Sequence, residues 1–402
     1  MTILPARKIS IITICIIVQA LVIGTYLYCF TFWVNPWIDE FSVSPSIVMI
    51  VPTIFLYAKS IVFFFLGKYL DIFQVRNSII FGLVLFSLSM ILLSLSPNMP
   101  FIYLVYLIVV PAAVLFAGPA AAIAIVSRAF KERRGLAIGV VGLGSSLGGV
   151  LMPHFAAFAI EGWGWRSANL ALAVVGLALV PFAFFLIGFE PKAPRGEKVD
   201  QTAKCEPARY FFTSSAFWIC VVSSTGAYFV FMAIQMNMAP ILRELGSATG
   251  EVAFAISLFT GGMLIGKILA GYLSDRIDSR FVFLGIGALM ATALFAILVQ
   301  SDHAGLLAAF FVFGMGAGGV TPLKAIILAN LFGPERLGRV MGLAAPFVTL
   351  YSLGPIFAAF IWEFQESYVP VLYVLLAILL LTVPMILLLP KKGCELQRAE
   401  SR

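Results

Sequence analysis

The sequence predicts an all-α integral membrane protein whose twelve transmembrane helices form two six-helix bundles, with both termini in the cytoplasm. Of its 402 residues, 61% are hydrophobic and only 11% are charged, whereas about a quarter of a typical soluble chain is charged. Apolar runs of roughly 20 residues recur, and each could cross a bilayer as a helix. The basic loop residues fall on one side of these runs, and the two halves of the chain repeat each other.

The apolar runs predict the positions of the twelve spans. The first run follows Arg7 and Lys8 and is too long for the core of a signal peptide, so we expect it to be retained. The expected limits are 9–34, 45–68, 77–96, 100–127, 136–160, 166–189, 212–240, 251–274, 280–299, 304–330, 339–362 and 368–389.

The charged loop residues predict the orientation. The loops on one side carry nearly all the Lys and Arg residues, and the opposite loops are mainly acidic, for example at Asp39, Glu40 and Asp302. Basic loops stay in the cytoplasm. The net charge of +7 is therefore a sign of topology and does not indicate nucleic-acid binding. We expect a multi-pass protein of the cell membrane, typical of a bacterial inner membrane.

One long polar stretch divides the chain. Residues 190–211 are rich in Lys, Glu and Pro, which is typical of a flexible linker. The expected domains are an N-terminal bundle at 1–189, a cytoplasmic linker at 190–211, a C-terminal bundle at 212–390 and a cytoplasmic tail at 391–402.

Short strings repeat between the two halves at nearly one offset. "GKYLD" is matched by "GYLSD" 204 residues later, "RGLAIG" by "LGRVMG" at 203, and "FAAFAIE" by "FAAFIWE" at 202. Six spans per half keep the same orientation, so the repeat predicts two bundles related by an axis along the membrane normal.

The loop after the eighth span carries a family resemblance. "GYLSDRIDSR" at 271–280 resembles the loop signature of the major facilitator superfamily, and a weaker copy follows the second span. The resemblance covers the whole chain and implies the major facilitator fold. We expect the loop residues to tether cytoplasmic helix ends as a conformational switch; these are Asp71, Arg76, Asp275, Arg276 and Arg280.

A narrower resemblance concerns the fifth and sixth spans. "FKERRGLAIGVVGLGSSLGGVLMP" at 130–153 and "GWGWRSANL" at 162–170 are similar to the monocarboxylate and oxalate transporters. In that branch a cation, usually Arg, lies on the eighth span, eight residues before the loop Asp. The corresponding residue here is Lys267, which keeps the charge but lacks the planar fork of Arg.

Three lysines lie within predicted spans, namely Lys59, Lys267 and Lys324. A lysine at the bilayer centre costs roughly 2.5–3.5 kcal/mol on insertion scales. No Asp or Glu lies at a comparable predicted depth. An anionic substrate would supply the missing counter-charge. The alternative is that these side chains extend to the cytoplasmic surface and have local structural roles.

Tyrosines form the second group of candidate binding residues. Tyr26 and Tyr228 correspond in the repeat on the first and seventh spans, and Tyr351 lies near the middle of the eleventh. Such residues would give a ligand site apolar walls and hydrogen-bonding groups. The alternative is helix packing or an aromatic belt at the membrane surface.

Glycines at four-residue spacing predict close contacts between helices. Gly144 and Gly148 lie on the fifth span and Gly262 and Gly266 on the eighth, and we expect those two spans to meet across the halves. The tenth span carries a further pair.

Together these features predict a secondary transporter of a small organic anion, a mono- or dicarboxylate, that works by alternating access. His154 is the one histidine within a predicted span and is the candidate for proton coupling; anion exchange without protons stays open. The alternatives are an exporter of neutral or cationic compounds and a transport-inactive membrane sensor. We expect a monomer in the lipid bilayer, with no enzymatic activity, cofactor, metal or nucleic-acid partner.

Overall fold

The computed structural model describes residues 6–66, 75–119, 121–122, 126, 134–187, 208–299, 302–333 and 337–389. Every regular element within these ranges is helical, which confirms the predicted all-α class.

The N-terminal half consists of long helices with one local widening. Its elements are α1 (Ala6–Ile23), a π-helical segment (Gly24–Tyr28), α2 (Phe30–Phe41), α3 (Pro45–Leu66), α4 (Val75–Ser94), α5 (Met99–Ala117) and α6 (Arg134–Ile187). In the π-helical segment, Cys29 N donates to Gly24 O at 2.9 Å, a bond between residues five apart in the chain. The fourth span was predicted to reach residue 127. Helix α5 ends at Ala117, where Gly118 is extended, and the described residues beyond it, 119, 121, 122 and 126, are again helical, so the chain has a break at Gly118.

The C-terminal half follows the same plan. Its α-helices are α7 (Ala208–Phe212), α8 (Ser215–Glu244), α9 (Thr249–Ser274), α10 (Ser279–Val299), α11 (His303–Phe332), α12 (Leu337–Val348), α13 (Gly354–Gln365) and α14 (Tyr368–Thr382). Two 3₁₀ segments, Thr349–Leu353 and Pro384–Leu388, complete it.

Side-chain caps explain where several helices begin. Asn98 accepts from Phe101 N at 3.1 Å before α5, and Asp302 accepts from Gly305 N at 2.9 Å before α11. Ser367 accepts from Val369 N at 3.2 Å before α14. Each cap satisfies an amide that the first helical turn leaves unpaired.

The described residues include 11 helices that are long and apolar enough to cross a membrane. One of them, at 140–186, has 47 residues and contains both the fifth and sixth predicted spans apart from their ends. Gly164, with φ of 78°, breaks its helical geometry. The count of twelve spans and the cytoplasmic position of the termini stay predictions.

The chain divides into two compact units. Unit 1 contains 1–193 and 235–257, and unit 2 contains 194–234 and 258–402. The predicted linker at 190–211 lies largely outside the described residues, and the domain boundaries stay predictions.

Hydrogen bonds explain why residues 235–257 belong to unit 1. Ala239 N donates to Thr31 Oγ1 at 2.8 Å, and Ser257 Oγ donates to Val150 O at 2.7 Å. These bonds connect α8 to α2 and α9 to α6.

Glycines bring α9 and α11 of unit 2 into backbone contact. A Cβ at Gly262 or Gly266 would overlap the carbonyl oxygens of Phe311 or Met315 on α11. In return, a Cβ at Gly318 would overlap the carbonyl of Met263. The glycines of the eighth span therefore pack on the tenth span, whereas the eighth span contacts the fifth through the bond from Ser257 to Val150.

The glycines of the fifth span pack differently as well. A Cβ at Gly144 would lie too close to Ile16, and one at Gly148 would overlap Ala20 O. Both neighbours belong to α1, so these glycines allow close packing between the first and fifth spans within unit 1.

Two adjacent glycines of α9 provide a direct test of this packing. Gly262→Ala is expected to lower the free energy of unfolding by about 1–3 kcal/mol, because the added methyl meets backbone that must shift. Gly261→Ala is the control, since nothing lies within 4 Å of a Cβ there. Thermal unfolding of the two purified variants should separate them, and equal midpoints would contradict the proposed close contact.

Candidate functional site

Five of the six predicted binding residues belong to two clusters, one in each unit, and Lys267 belongs to neither. The Tyr228 cluster, in unit 2, consists of Tyr228, Thr321, Lys324 and Tyr351. The Tyr26 cluster, in unit 1, consists of Tyr26, Phe55, Lys59, Ser89 and Tyr106.

The Tyr228 cluster combines a cation, two rings and two hydroxyl groups. Lys324 Nζ lies 5.3 Å from the centroid of the Tyr228 ring, within the range of a cation–π contact. The Tyr228 hydroxyl donates to Thr321 Oγ1 at 2.7 Å. The Tyr351 ring lies 5.3 Å from the Tyr228 ring, with 31° between the planes.

Local irregularities shape this cluster. Pro322 lies within α11, and its ring nitrogen cannot donate to the carbonyl of Gly318. Tyr351 lies in the 3₁₀ segment between α12 and α13. Thr321 is exposed, and Lys324 and Tyr351 are half-buried. The cluster therefore presents polar groups that a ligand can reach.

The Tyr26 cluster is closed by comparison. Tyr26 is 2% exposed, and its hydroxyl is hydrogen-bonded to that of Ser89. Ser89 Oγ also donates to Phe86 O at 2.6 Å. The repeat thus gives two equivalent tyrosines different surroundings: Tyr26 is enclosed, whereas the hydrogen-bond partner of Tyr228 is exposed.

Lys59 lies at the edge of the Tyr26 cluster. Its Nζ is 5.7 Å from the centroid of Phe55, whose ring is 6.3 Å from those of both Tyr26 and Tyr106. Lys59 is half-buried. It is the group through which this cluster could contact an anion.

Lys267 belongs to unit 2 and is half-buried on α9. Helices α9 and α11 run parallel, because Gly262 faces Phe311 and Gly266, one turn later, faces Met315. Together with the contact between Gly318 and Met263, this register places residue 319 at about the level of Lys267. Lys324 is therefore about five residues, or roughly 7–8 Å, further along the helix axis.

None of the three lysines has a carboxylate partner among the described residues. The ion pairs found there are Arg166–Glu40 and Arg280–Asp278. Lys59 and Lys324 have aromatic neighbours. Over the same ranges no hydrogen bond, ion pair or ring contact involves Lys267.

In the part of the chain that the structure describes, the predicted switch residues contact other partners and not one another. Arg280 pairs with Asp278 at 2.6 Å and donates to Leu389 O, also at 2.6 Å. Asp275 is exposed and makes no ion pair with any described residue, so the expected link from Asp275 to Arg276 or Arg280 is absent from this structure. Asp278 is the carboxylate that pairs with Arg280 because it lies only two residues away. It also accepts a hydrogen bond from the Arg280 backbone N–H at 3.0 Å.

The other switch residues show ring contacts. Arg276 lies 4.3 Å from the centroid of Tyr272, and Arg76 lies 4.4 Å from that of Phe184. Asp71 lies outside the described residues.

His154 is exposed on α6. Its helical neighbours at three- and four-residue spacing, Leu151 and Phe158, are 61% and 65% exposed. The histidine therefore lies on a mainly apolar strip of the helix surface.

Sequence reasoning missed Thr321. Its signal is its place three residues before Lys324 on one helix, which puts the hydroxyl and the ammonium on the same face. Thr321 was missed because a lone threonine in an apolar span is usually unremarkable. Its importance comes from the bond to Tyr228, 93 residues earlier in the chain.

Comparison with protein families gives two overlapping matches, at residues 13–241 and 223–399, to the model described as Major Facilitator Superfamily. The chain belongs to the major facilitator superfamily. This confirms the resemblance found in the loop after the eighth span, and the protein is a multi-pass membrane transporter.

Three relatives illustrate the range of similar transporters. An uncharacterized MFS-type transporter of Bacillus subtilis (strain 168) is 26% identical over 343 residues, which cover 81% of this chain and 81% of the relative. An agnestins efflux protein of Paecilomyces divaricatus is 26% identical over 298 residues, covering 72% of this chain and 65% of the relative. Monocarboxylate transporter 11 of Homo sapiens is 26% identical over 260 residues, covering 60% and 53%.

A solved structure supports the fold. The transporter is similar to a bacterial homolog of the human lysosomal transporter Spinster, with a TM-score of 0.76 and 17% identity. The match covers 96% of this chain and 97% of that chain. At this identity the likeness supports the fold alone.

Proposed function

We propose that this transporter moves a small organic anion, a mono- or dicarboxylate, by alternating access. The observation that carries the proposal is the set of three lysines in apolar helices without a carboxylate partner among the described residues. A desolvated ammonium needs a counter-charge. An anionic substrate supplies that charge each time it binds.

The surroundings of the lysines support an organic rather than an inorganic anion. Lys324 is adjacent to Tyr228 and Tyr351, and Lys59 is adjacent to Phe55. Aromatic faces favour contact with a carbon skeleton, and the ammonium favours a carboxylate. We propose Lys267, Lys324 and Lys59 as anion contacts, and Tyr26, Tyr228 and Tyr351 as the walls.

Similarity to a monocarboxylate transporter agrees with this proposal. Similarity to a fungal efflux protein favours a second candidate, an exporter. Its substrates would be neutral or cationic compounds. The two differ in the charge that the substrate must carry, because an exporter of cations needs acidic groups where this chain places lysines. We favour the anion carrier, acting as a monomer in a bacterial cell membrane.

We further propose that the loop after the eighth span, with Asp275, Arg276 and Arg280, takes part in the conformational switch, as Asp71 and Arg76 do after the second. Two contacts of Arg280 support this role. Arg280 pairs with Asp278 within the loop, and it donates to the backbone oxygen of Leu389, which directly follows the 3₁₀ segment Pro384–Leu388.

Reconstituted vesicles test the function and its coupling together. In vesicles loaded with unlabelled pyruvate, oxalate or succinate, the wild-type protein should accelerate uptake of the same labelled acid well above protein-free vesicles. If no carboxylate exchanges while a neutral or cationic compound is transported, the exporter is the correct alternative.

Coupling is tested in vesicles that contain no anion. If protons are coupled through His154, an inward-directed proton gradient alone drives uptake, and His154→Gln abolishes this drive while leaving exchange intact. Uptake that needs an internal anion and ignores the gradient would leave exchange as the mechanism. The helical neighbours of His154, Leu151 and Phe158, are exposed and apolar. We therefore expect exchange without proton coupling.

A further inference from the structure

The Tyr228 cluster contains a hydrogen-bond donor without an acceptor. Tyr228 donates its proton to Thr321 Oγ1, so the threonine oxygen acts as acceptor and keeps its own hydrogen free. Among the described residues no group accepts that hydrogen. Thr321 is also exposed, so the donor can be reached.

Comparable threonines in this transporter behave differently. Thr292 donates to Ala288 O at 3.0 Å, Thr349 to Ala345 O at 2.7 Å and Thr382 to Ile378 O at 2.8 Å. Each uses the common bond to the carbonyl four residues earlier in its own chain segment. Thr321 instead binds Tyr228, which holds the hydroxyl in another orientation.

Lys324 lies on the same face of α11 as Thr321. Residues three apart on a helix are neighbours. The Tyr228 side chain joins the two, because its ring lies 5.3 Å from Lys324 Nζ and its hydroxyl lies 2.7 Å from Thr321 Oγ1. One helix face thus offers an ammonium and a free hydroxyl donor beside two aromatic rings.

We propose that Thr321 and Lys324 form a carboxylate-binding subsite, in which each donates to one oxygen of the same carboxylate. Tyr228 is a positioning residue that keeps the Thr321 donor available, and the Tyr228 and Tyr351 rings contact the adjoining carbons of the acid. This inference rests on the proposed function and adds the group that recognises the second oxygen.

The subsite predicts a specific order among hydroxyl variants. Thr321→Val keeps the shape but removes the donor, and it should weaken carboxylate binding about tenfold, as expected for a hydrogen bond to a charged group. Thr321→Ser should restore most of the affinity. Tyr228→Phe should also weaken binding, because Thr321 is then free to donate to Ala317 O within its own helix.

Combining the variants separates positioning from direct contact. If Tyr228 acts through Thr321, Tyr228→Phe should cause little further loss in the Thr321→Val background. Thr292→Val is the matched control, since that hydroxyl donates within α10 and lies outside the subsite. Its affinity should equal that of the wild type.

The experiment is equilibrium binding of pyruvate, oxalate and succinate to the purified full-length protein, with thermal unfolding to show that each variant folds. Wild-type affinity in Thr321→Val, or equal losses in Thr321→Val and Thr321→Ser, would overturn the subsite while the carboxylate carrier stands. If the wild-type protein binds none of the three acids, the proposed function fails and the subsite fails with it.

Discussion

Replacing Lys267 with alanine is expected to weaken carboxylate binding by at least roughly thirtyfold, or about 2 kcal/mol. This is the low end of the cost of truncating one partner of a desolvated charge pair, and it suits a side chain that is only half-buried. Lys267→Arg should keep measurable binding because the charge is retained. The measurement is equilibrium binding and vesicle uptake with the same acid.

A neighbouring position supplies the control for Lys267. Ile268 is 64% exposed on the same helix, so Ile268→Ala changes side-chain size without removing a charge. It should leave carboxylate affinity unchanged. Unaltered transport by a well-folded Lys267→Ala protein would show that Lys267 is not an anion contact, and the alternative of a lysine that extends to the surface would then be preferred.

Replacing Arg166 with glutamine is expected to give the largest loss of stability among the surface positions of unit 1. Its guanidinium donates to Glu40 at 2.6 Å, to Ser94 O at 2.5 Å and to Ser96 O at 2.8 Å. Trp165 Nε1 also donates to Glu40, at 2.5 Å. One arginine therefore connects α2, the end of α4 and α6.

The expected cost of Arg166→Gln is about 1–3 kcal/mol, because bonds to a charged group are lost but the pair is partly solvated. Arg243→Gln is the matched control, since Arg243 makes no side-chain hydrogen bond or ion pair with any described residue. Chemical unfolding in detergent should show a lower midpoint for Arg166→Gln alone. Equal midpoints would mean that this network contributes no stability.

Much of the fold follows from hydrophobic length and charge. Apolar runs must become helices in lipid because each backbone group needs a partner, and the predicted all-α class is confirmed. Helix ends are harder to predict. The fourth span looks continuous to residue 127, yet it is interrupted where Gly118 becomes extended, and a short run of small residues gives little warning of such a break.

The candidate site was predictable by residue type but not by arrangement. A lysine in an apolar run is visible in the sequence, so Lys267 and Lys324 could be found. The sequence cannot show that Tyr26 is enclosed and Tyr228 bonded to an exposed partner, since this depends on which helices pack together. The pairing of Arg280 with Asp278 was missed for a different reason: family resemblance directed attention to Asp275.

The proposed transport requires that the substrate's negative charge neutralises lysines inside the protein. The most direct test is thermal unfolding of the wild-type transporter with matched pairs of ligands, in which pyruvate, oxalate and succinate are each compared with the corresponding neutral amide. A ligand that binds only the folded state raises the unfolding midpoint, and the rise grows with the logarithm of its concentration once that exceeds the dissociation constant. We predict a concentration-dependent rise with at least one carboxylate and none with its amide. Equal rises with acid and amide, or a rise only with cationic compounds, would contradict this requirement.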